Sequence, residues 1–377
     1  MARDGNALSS QDALRRPPGG LLFSSHTIEI DRSGAVRWLP ELPAVTPPIT
    51  QKHIASRLGV SVTLVSRVLG GKADEIGAAA ATVASIRQTA ADLGYVPNAT
   101  ARILRGVPSR TLGVVVYDFE DPFLGALIGA LQRLAHREDH TLVLAGFEQR
   151  REDADALRPL AKHGLSGLII VGSGGREDWL QSFLALGLPV ARIGTSPGAT
   201  HATVAVDGPR GIAALLGHLG RRGLRRVGFI ADGLPAHQDR LRCFREQVAA
   251  LGCESRPEWC VTRPEAATAA GLQGTRELLG RGGERPQALL AAGDAIALGV
   301  LRALQEGGVA VPGGMAVTGF DDLPLADALT PALTTVRQPV GELARTAFAW
   351  VAGADRLPPG NAPQVLLPGE LIVRESA

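Results

Sequence analysis

Ser61-Val62-Thr63-Leu64-Val65-Ser66-Arg67-Val68-Leu69 sorts into two chemistries when it is wound as an α-helix at about 100° per residue. Leu64, Val65, Val68 and Leu69 fall on one side and seek a core, while Val62, Thr63, Ser66 and Arg67 face the other way, where they can meet base edges. Just upstream, residues 50–58 spell a second short helix with Thr50 in the capping position and Ile54, Ala55 and Leu58 turned inward. Gly59 supplies a tight turn, and Ser61 is placed to cap the helix that follows. Two short amphipathic helices about a small turn predict a helix-turn-helix, whose second member enters the DNA major groove. The bland alternative is a piece of an ordinary helical bundle.

Further along, Leu93-Gly94-Tyr95-Val96-Pro97-Asn98 closes a third helix, and Ala99-Thr100-Ala101-Arg102-Ile103-Leu104-Arg105-Gly106 follows as a short basic helix ended by Gly. With Val65-Ser66-Arg67-Val68 and this Gly-Tyr-Val-Pro-Asn and Ala-Arg-Ile-Leu-Arg-Gly segment in this order, the sequence resembles the LacI/GalR family of bacterial transcription regulators. The resemblance runs on to the end of the chain. It implies an all-α helix-turn-helix domain at 48–98, a hinge helix and linker at 99–109, and an effector-binding and dimerisation core at 110–377. That core is expected to be an α/β periplasmic-binding-protein-like pair of Rossmann-like parallel-sheet subdomains, with the chain crossing between them three times.

Roles on the DNA follow from the same resemblance. Val62 and Thr63 match positions that read bases, and Arg67 adds a further base contact. Thr50, Ser61 and Ser66 suit phosphate oxygens through hydroxyls and helix N-terminal amides. Asn98 and Ala101 stand at hinge contacts, and Leu104 matches the leucine that the family wedges into the minor groove. One departure concerns residues 71–82, which are a few longer than the family's usual spacing. There Ile76-Gly77-Ala78-Ala79-Ala80-Ala81 replaces a capped, charged helix start, and alanine favours an earlier beginning for the third helix.

Composition agrees with a folded protein of several domains, since 377 residues with 45% apolar content can bury more than one core. No apolar run reaches membrane-spanning length, and a signal-peptide layout is absent, so the expected compartment is the bacterial cytoplasm, at the nucleoid. Cys243, Cys253 and Cys260 have no spacing that suggests a disulfide framework or a zinc site. No metal and no cofactor are expected. The net charge of +2 says little, but residues 48–106 carry seven Lys/Arg against three Asp/Glu, while residues 107–377 carry 27 against 29. Positive charge gathers where phosphate contact is expected. Residues 1–47 alternate weakly at 27–31 and 35–39 around Arg32-Ser33-Gly34, which allows a hairpin. Their Pro, Gly and Ser content favours a flexible extension, with a small added element or an upstream translation start as alternatives.

After Arg110, short apolar runs alternate with helical stretches. Strands are expected at 112–117, 141–145, 167–171, 190–194, 227–231, 288–291 and 316–320, with helices such as 125–137 and 295–307 between them. Ligands bind such folds at the carboxyl ends of the strands. Asp121 and Phe123, Arg240, Asp294 and Asp321 lie there, each at a position that the resemblance assigns to the effector pocket. An arginine fork with carboxylates suits a polyol such as a sugar, though Arg240 could equally hold a carboxylate or phosphate, and Asp294 could simply cap the next helix. Asp121 stands where Asn is common in the family, Cys243 where Gly is usual, and Gly293 where Asn is usual.

The expected function is a sequence-specific regulator, repression being the commoner mode. It would bind a pseudo-palindromic double-stranded operator as a homodimer, under control of a small molecule, a carbohydrate by preference. Apolar faces at 123–137 and 342–351 are candidates for the dimer contact, and no heptad tail suggests a tetramer. The rivals are a cytoplasmic sugar-binding protein without regulation and an enzyme. For the latter, Gly172-Ser173-Gly174-Gly175 lacks a phosphate-loop ending, and the His136 to His140 run has its Glu misplaced for a zinc protease, so no catalytic residue is assigned.

Overall fold

The computed structural model describes residues 28–30, 36–38, 49–96, 108–147, 154–174, 178–352, 357 and 362–377. The chain divides into two compact units, Met1–Pro97 and Asn98–Ala377. Asn98, Ala101, Leu104 and the expected hinge helix lie outside the described residues.

In the first unit, β1 (Ile28–Ile30) and β2 (Val36–Trp38) pair antiparallel, so the weak alternation is expressed as a hairpin. Helices α1 (Gln51–Leu58), α2 (Val62–Leu69) and α3 (Ala80–Asp92) surround a small core of Ile54, Ala55, Val65, Val68, Ile86 and Ala90. These are the inward faces that helical spacing predicts. Gly59, with φ of 68°, ends α1 in the left-handed conformation that glycine takes without penalty. The Ser61 hydroxyl accepts the Leu64 amide at 3.1 Å and so caps α2. Thr50 caps α1 with a partner the sequence did not announce: its own amide donates to His53 Nδ1 at 3.1 Å. The alanine run lengthens α3 only back to Ala80. Ahead of it, a single 3-10 turn over Asp74–Ile76 ends at Gly77, whose φ of 60° interrupts the helix, and Ala73 tucks into the core.

The second unit contains two parallel sheets. One is six-stranded, in the order β13-β7-β6-β5-β3-β4, from β3 (Thr111–Val116), β4 (Thr141–Gly146), β5 (Gly167–Val171), β6 (Val190–Ile193), β7 (Ala202–Val206) and β13 (Gln364–Leu367). The other is four-stranded, in the order β11-β10-β8-β9, from β8 (Val227–Asp232), β9 (Cys260–Arg263), β10 (Ala288–Ala291) and β11 (Ala316–Thr318). Every neighbouring pair in both sheets is parallel. A short antiparallel pair, β12 (Thr335–Arg337) with β14 (Glu370–Ile372), completes the strands. Leu168, Ile169, Ile170 and Val171 are buried without a polar alternate because helices cover both faces of the sheet.

Separate cores mark two subdomains. Around the larger sheet pack α4 (Pro122–Arg137) and α12 (Val340–Val351); around the smaller pack α7 (Gly208–Arg221), α8 (Pro235–Gln247), α9 (Ala267–Gly280) and α10 (Asp294–Glu306). The remaining helices α5 (Ala154–Ala161), α6 (Leu180–Leu184) and α11 (Pro324–Ala328) are short. The chain passes from one core to the other at Asp207, at Gln338 and again at Pro368-Gly369, giving the three crossings that the resemblance implied. The apolar faces of α4 and α12 are spent within their own subdomain, with Leu127, Leu131, Leu343, Ala347 and Phe348 buried against the sheet and one another. Ile128, Leu134 and Trp350 on these helices stay half-buried.

Candidate functional site

Two surfaces carry the chemistry, one on each unit. On the first, the burial of Val65 and Val68 fixes the roll of α2, so Val62, Thr63 and Arg67 project into solvent and Ser66 is half-buried. Val62 keeps 40% of its surface exposed, an apolar group left on a helix that otherwise hides its apolar residues. Arg67 makes no ion pair among the described residues. Ser61 spends its hydroxyl on the cap.

On the second unit, a cavity of about 270 Å³ opens between the subdomains, at the carboxyl ends of β3, β5, β6, β8 and β11. Tyr117, Asp121 and Phe123 line it from the larger-sheet subdomain; His237, Arg240 and Asp321 line it from the other. Of the five residues proposed for an effector, Asp121, Phe123, Arg240 and Asp321 meet here. Asp294 does not. It is wholly buried behind the wall, where it accepts the Thr335 hydroxyl at 2.6 Å and the Leu323 amide at 2.8 Å. Nor is it the cap of α10, whose capping position is Gly293. Asp121 does cap α4, by accepting the Phe123 amide at 2.9 Å.

Arg240 is nine-tenths buried and already engaged. It donates to the Ala292 carbonyl, faces Asp321 Oδ1 at 3.4 Å, and lies with its guanidinium carbon 3.9 Å from the centroid of the Phe320 ring. Asp321, whose φ of 123° is rare outside glycine, also accepts from Gln338 Nε2 at 2.6 Å. Burial pushes its carboxyl well above the usual range, against the pull of Arg240 and with the added repulsion of Asp294 and Asp121. Asp121 is raised as well, by burial first, with His237 the main opposing charge.

Several participants were not found from sequence. His237 Nδ1 lies 2.6 Å from Asp232 Oδ1, and Asp232 also accepts the Leu234 and Ala267 amides at 2.9 and 3.1 Å. Burial works against ionising Asp232, but the imidazole and these amides outweigh it and hold the carboxyl below its ordinary value. Thr195, from the end of β6, donates to Asp239 Oδ2 at 2.8 Å across the cleft. The signal for His237 was available: it stands three residues before Arg240, hence on the same face of α8. Nothing local marks Thr195 or Asp239.

Against known proteins, the family described as periplasmic binding protein-like domain matches residues 216–377. The HTH-type transcriptional regulator GalR of Salmonella typhimurium (strain LT2) is 32% identical over 302 residues, covering 79% of this chain and 87% of the relative. The chain belongs to the LacI/GalR family of transcriptional regulators. GalR of Escherichia coli (strain K12) agrees at 30% identity over 324 residues, covering 85% of this chain and 93% of that one. In fold, this LacI/GalR regulator is similar to the lac repressor dimer bound to operator and the anti-inducer ONPF, with a TM-score of 0.76 at 24% identity over 88% of this chain and 99% of that one. It is also similar to the transcriptional regulator CelR in complex with cellobiose, at TM-score 0.63 and 26% identity, covering 87% and 100%. LacI/GalR relatives regulate transcription and are not enzymes, which removes the catalytic reading. Among the described residues, no helix is long and apolar enough to cross a membrane.

Proposed function

We propose that this LacI/GalR regulator binds a pseudo-palindromic operator as a homodimer in the cytoplasm, with repression as its mode. A small polyhydroxy molecule, a sugar or sugar derivative, enters the cleft of the second unit and changes operator affinity. The observation that carries the reading is the pairing of a capped recognition helix, whose polar face stays exposed, with a cavity between two subdomains joined by three strands of chain. Thr63 and Arg67 read bases, Val62 offers an apolar contact, and the amide ends of α1 and α2 with Thr50, Ser61 and Ser66 meet phosphates. In the cleft, Arg240 already answers Asp321, so an anionic ligand gains little there. Hydroxyls, which both donate and accept, suit Asp121, His237 and Asp321, and the rings of Tyr117 and Phe123 offer apolar faces.

A ligand that prefers one closure of the cleft shifts operator affinity by its differential binding, typically about 1–3 kcal/mol in such systems. Fluorescence anisotropy with genomic fragments, including DNA upstream of the chain's own coding sequence, tests this. A fragment preferred over bulk DNA, with the preference moved by a sugar, supports the reading. A monomer at micromolar concentration without preference for any fragment overturns it. Arg240→Ala is expected to keep operator affinity while losing the response to ligand.

A further inference from the structure

A second cavity, of about 220 Å³, adjoins the first, and Asp121, His237 and Asp321 line both. His237 is nine-tenths buried, and because its Nδ1 meets the Asp232 carboxylate at 2.6 Å, that nitrogen carries the proton. In the neutral ring Nε2 is then an acceptor. It has no hydrogen-bond partner among the described residues, yet it is not one of the polar atoms shut away from solvent. Asp321, equally buried, is in the same position: Gln338 and Arg240 both address Oδ1, which leaves Oδ2 free. The two free atoms are neighbours, since a Cβ on Gly293 would stand 3.1 Å from Oδ2 and 3.2 Å from Nε2. Asp121 spends Oδ1 on the Phe123 amide and keeps its other oxygen.

Charge around these acceptors does not balance. Arg240 is answered by Asp321, and His237 by Asp232. Asp121 and Glu120 are left with no ion pair among the described residues, and Asp118 adds a third carboxylate to the second cavity. No group among the described residues is spaced to hold a metal ion, so the charge that fits is an organic cation.

We propose that the effector is a polyol carrying a protonated amine, an amino sugar, whose ammonium group lies between Asp121, Asp321 and the His237 imidazole. The inference rests on the cleft being the effector site. An ammonium offers three donors and no acceptor, which matches three acceptor atoms, and its bonds to carboxylates are charge-assisted. Tyr117 and Phe123 supply apolar faces for the ring. The charged groups that face the imidazole are Asp232 beneath it, Asp121 and Asp321 beside it, and Arg240 one turn along α8. In the empty site protons stand in for the cation, since burial raises the carboxyls of Asp121 and Asp321. Amine binding displaces those protons, and acid competes with it.

Titration calorimetry on the full chain compares glucosamine, galactosamine and mannosamine with their parent hexoses and with their N-acetyl derivatives, which keep the ring and lose the charge. At about pH 7 one amino sugar is expected to bind at least about tenfold more tightly than both of its uncharged counterparts. That ratio is expected to fall by at least about threefold at about pH 5. Asp121→Asn removes a charge but keeps a good cap for α4, and is expected to shrink the ratio to about twofold. Equal binding of charged and uncharged sugars, a ratio that persists at the lower pH or in Asp121→Asn, or no binding by any amino sugar would each overturn the proposal. Phe123→Ala, which strips an apolar face from the cleft without touching its charge, separates the two levels. If the cleft is the effector site but the amine inference is wrong, uncharged sugars bind as well as charged ones and Phe123→Ala weakens them all. If the cleft is not the site, Phe123→Ala leaves every affinity unchanged.

Discussion

Asp294 braces the wall of the cavity from behind, buried from solvent. By taking the Thr335 hydroxyl and the Leu323 amide, it ties the start of α10 to β12 and to the loop that carries Asp321. Burial, with repulsion from Asp322, lifts its carboxyl from 3.8 to about 6, although Thr335, Leu323 and Arg240 pull the other way. A carboxyl raised in the folded state contributes stability that is whole below its unfolded value and is lost as pH climbs through the folded value. Asp121 and Asp321 shift in the same direction. The second unit is therefore expected to weaken as pH rises across about 4 to 7, and Asp294→Asn to flatten part of that slope. Urea unfolding of both proteins at the two ends of the range measures it; an unchanged slope in the variant contradicts the assignment. Sequence placed Asp294 at the right strand end but could not orient it, since a carboxylate facing a cavity and one facing the next strand have the same local pattern. The same limit hid His237, which helical spacing aligned with Arg240 but whose importance depends on Asp232 beneath it.

At the scale of elements, α9 and α10 cross with their backbones nearly in contact. A Cβ on Gly299 would meet the Thr268 carbonyl at 2.0 Å, and one on Gly271 would meet the Ile296 carbonyl at the same distance. Gly299→Ala is expected to push the helices apart and destabilise the unit by about 1–3 kcal/mol or more. Gly220→Ala, in α7 where a methyl meets nothing within 4 Å, should instead gain about 0.5–1 kcal/mol from helix propensity. Denaturant midpoints of the pair check both signs. On α2, Arg67→Ala is expected to narrow the gap between the best operator and its single-base variants by about 1–3 kcal/mol, rather than weaken all DNA alike; competition against a set of variant operators reads this out. Most strands legible in the sequence were unbroken apolar runs, such as β3, β5 and β10, which need no partner to be recognised; the half-exposed β4 was legible by the same run of apolar residues, whereas the buried β7, with Thr203 in it, was missed. Those missed include β9, β12, β13 and β14, which carry Arg263, Thr335, Arg337, Gln364 and Glu370 and exist because distant strands pair with them.

For the molecule as a whole, the helix-turn-helix and its inward faces followed from spacing and caps within a few dozen residues. The two-subdomain core required the family resemblance, since no local rule reveals that β13, near the end of the chain, joins a sheet begun at Thr111. The crossings also border the cleft. Gln338 lies on the middle crossing, lines the cavity, and donates to Asp321 Oδ1. Gln338→Leu is expected to leave operator binding by the ligand-free protein within about threefold while shrinking the ligand-driven change by about tenfold, a loss equal to one buried hydrogen bond. Anisotropy titrations with and without saturating ligand measure both; an undiminished change would show that this bond is a bystander.

The Gln338 amide sets a short mechanical path between the cavity and the connection of the two lobes. Under the proposed function, a ligand hydroxyl that captured the Asp321 oxygen would take it from a segment that joins the lobes, so that recognition and release would be the same exchange of partners. Such a sensor would need no relay through the interior, and the stiffness of that one connecting strand would set how far the signal carries.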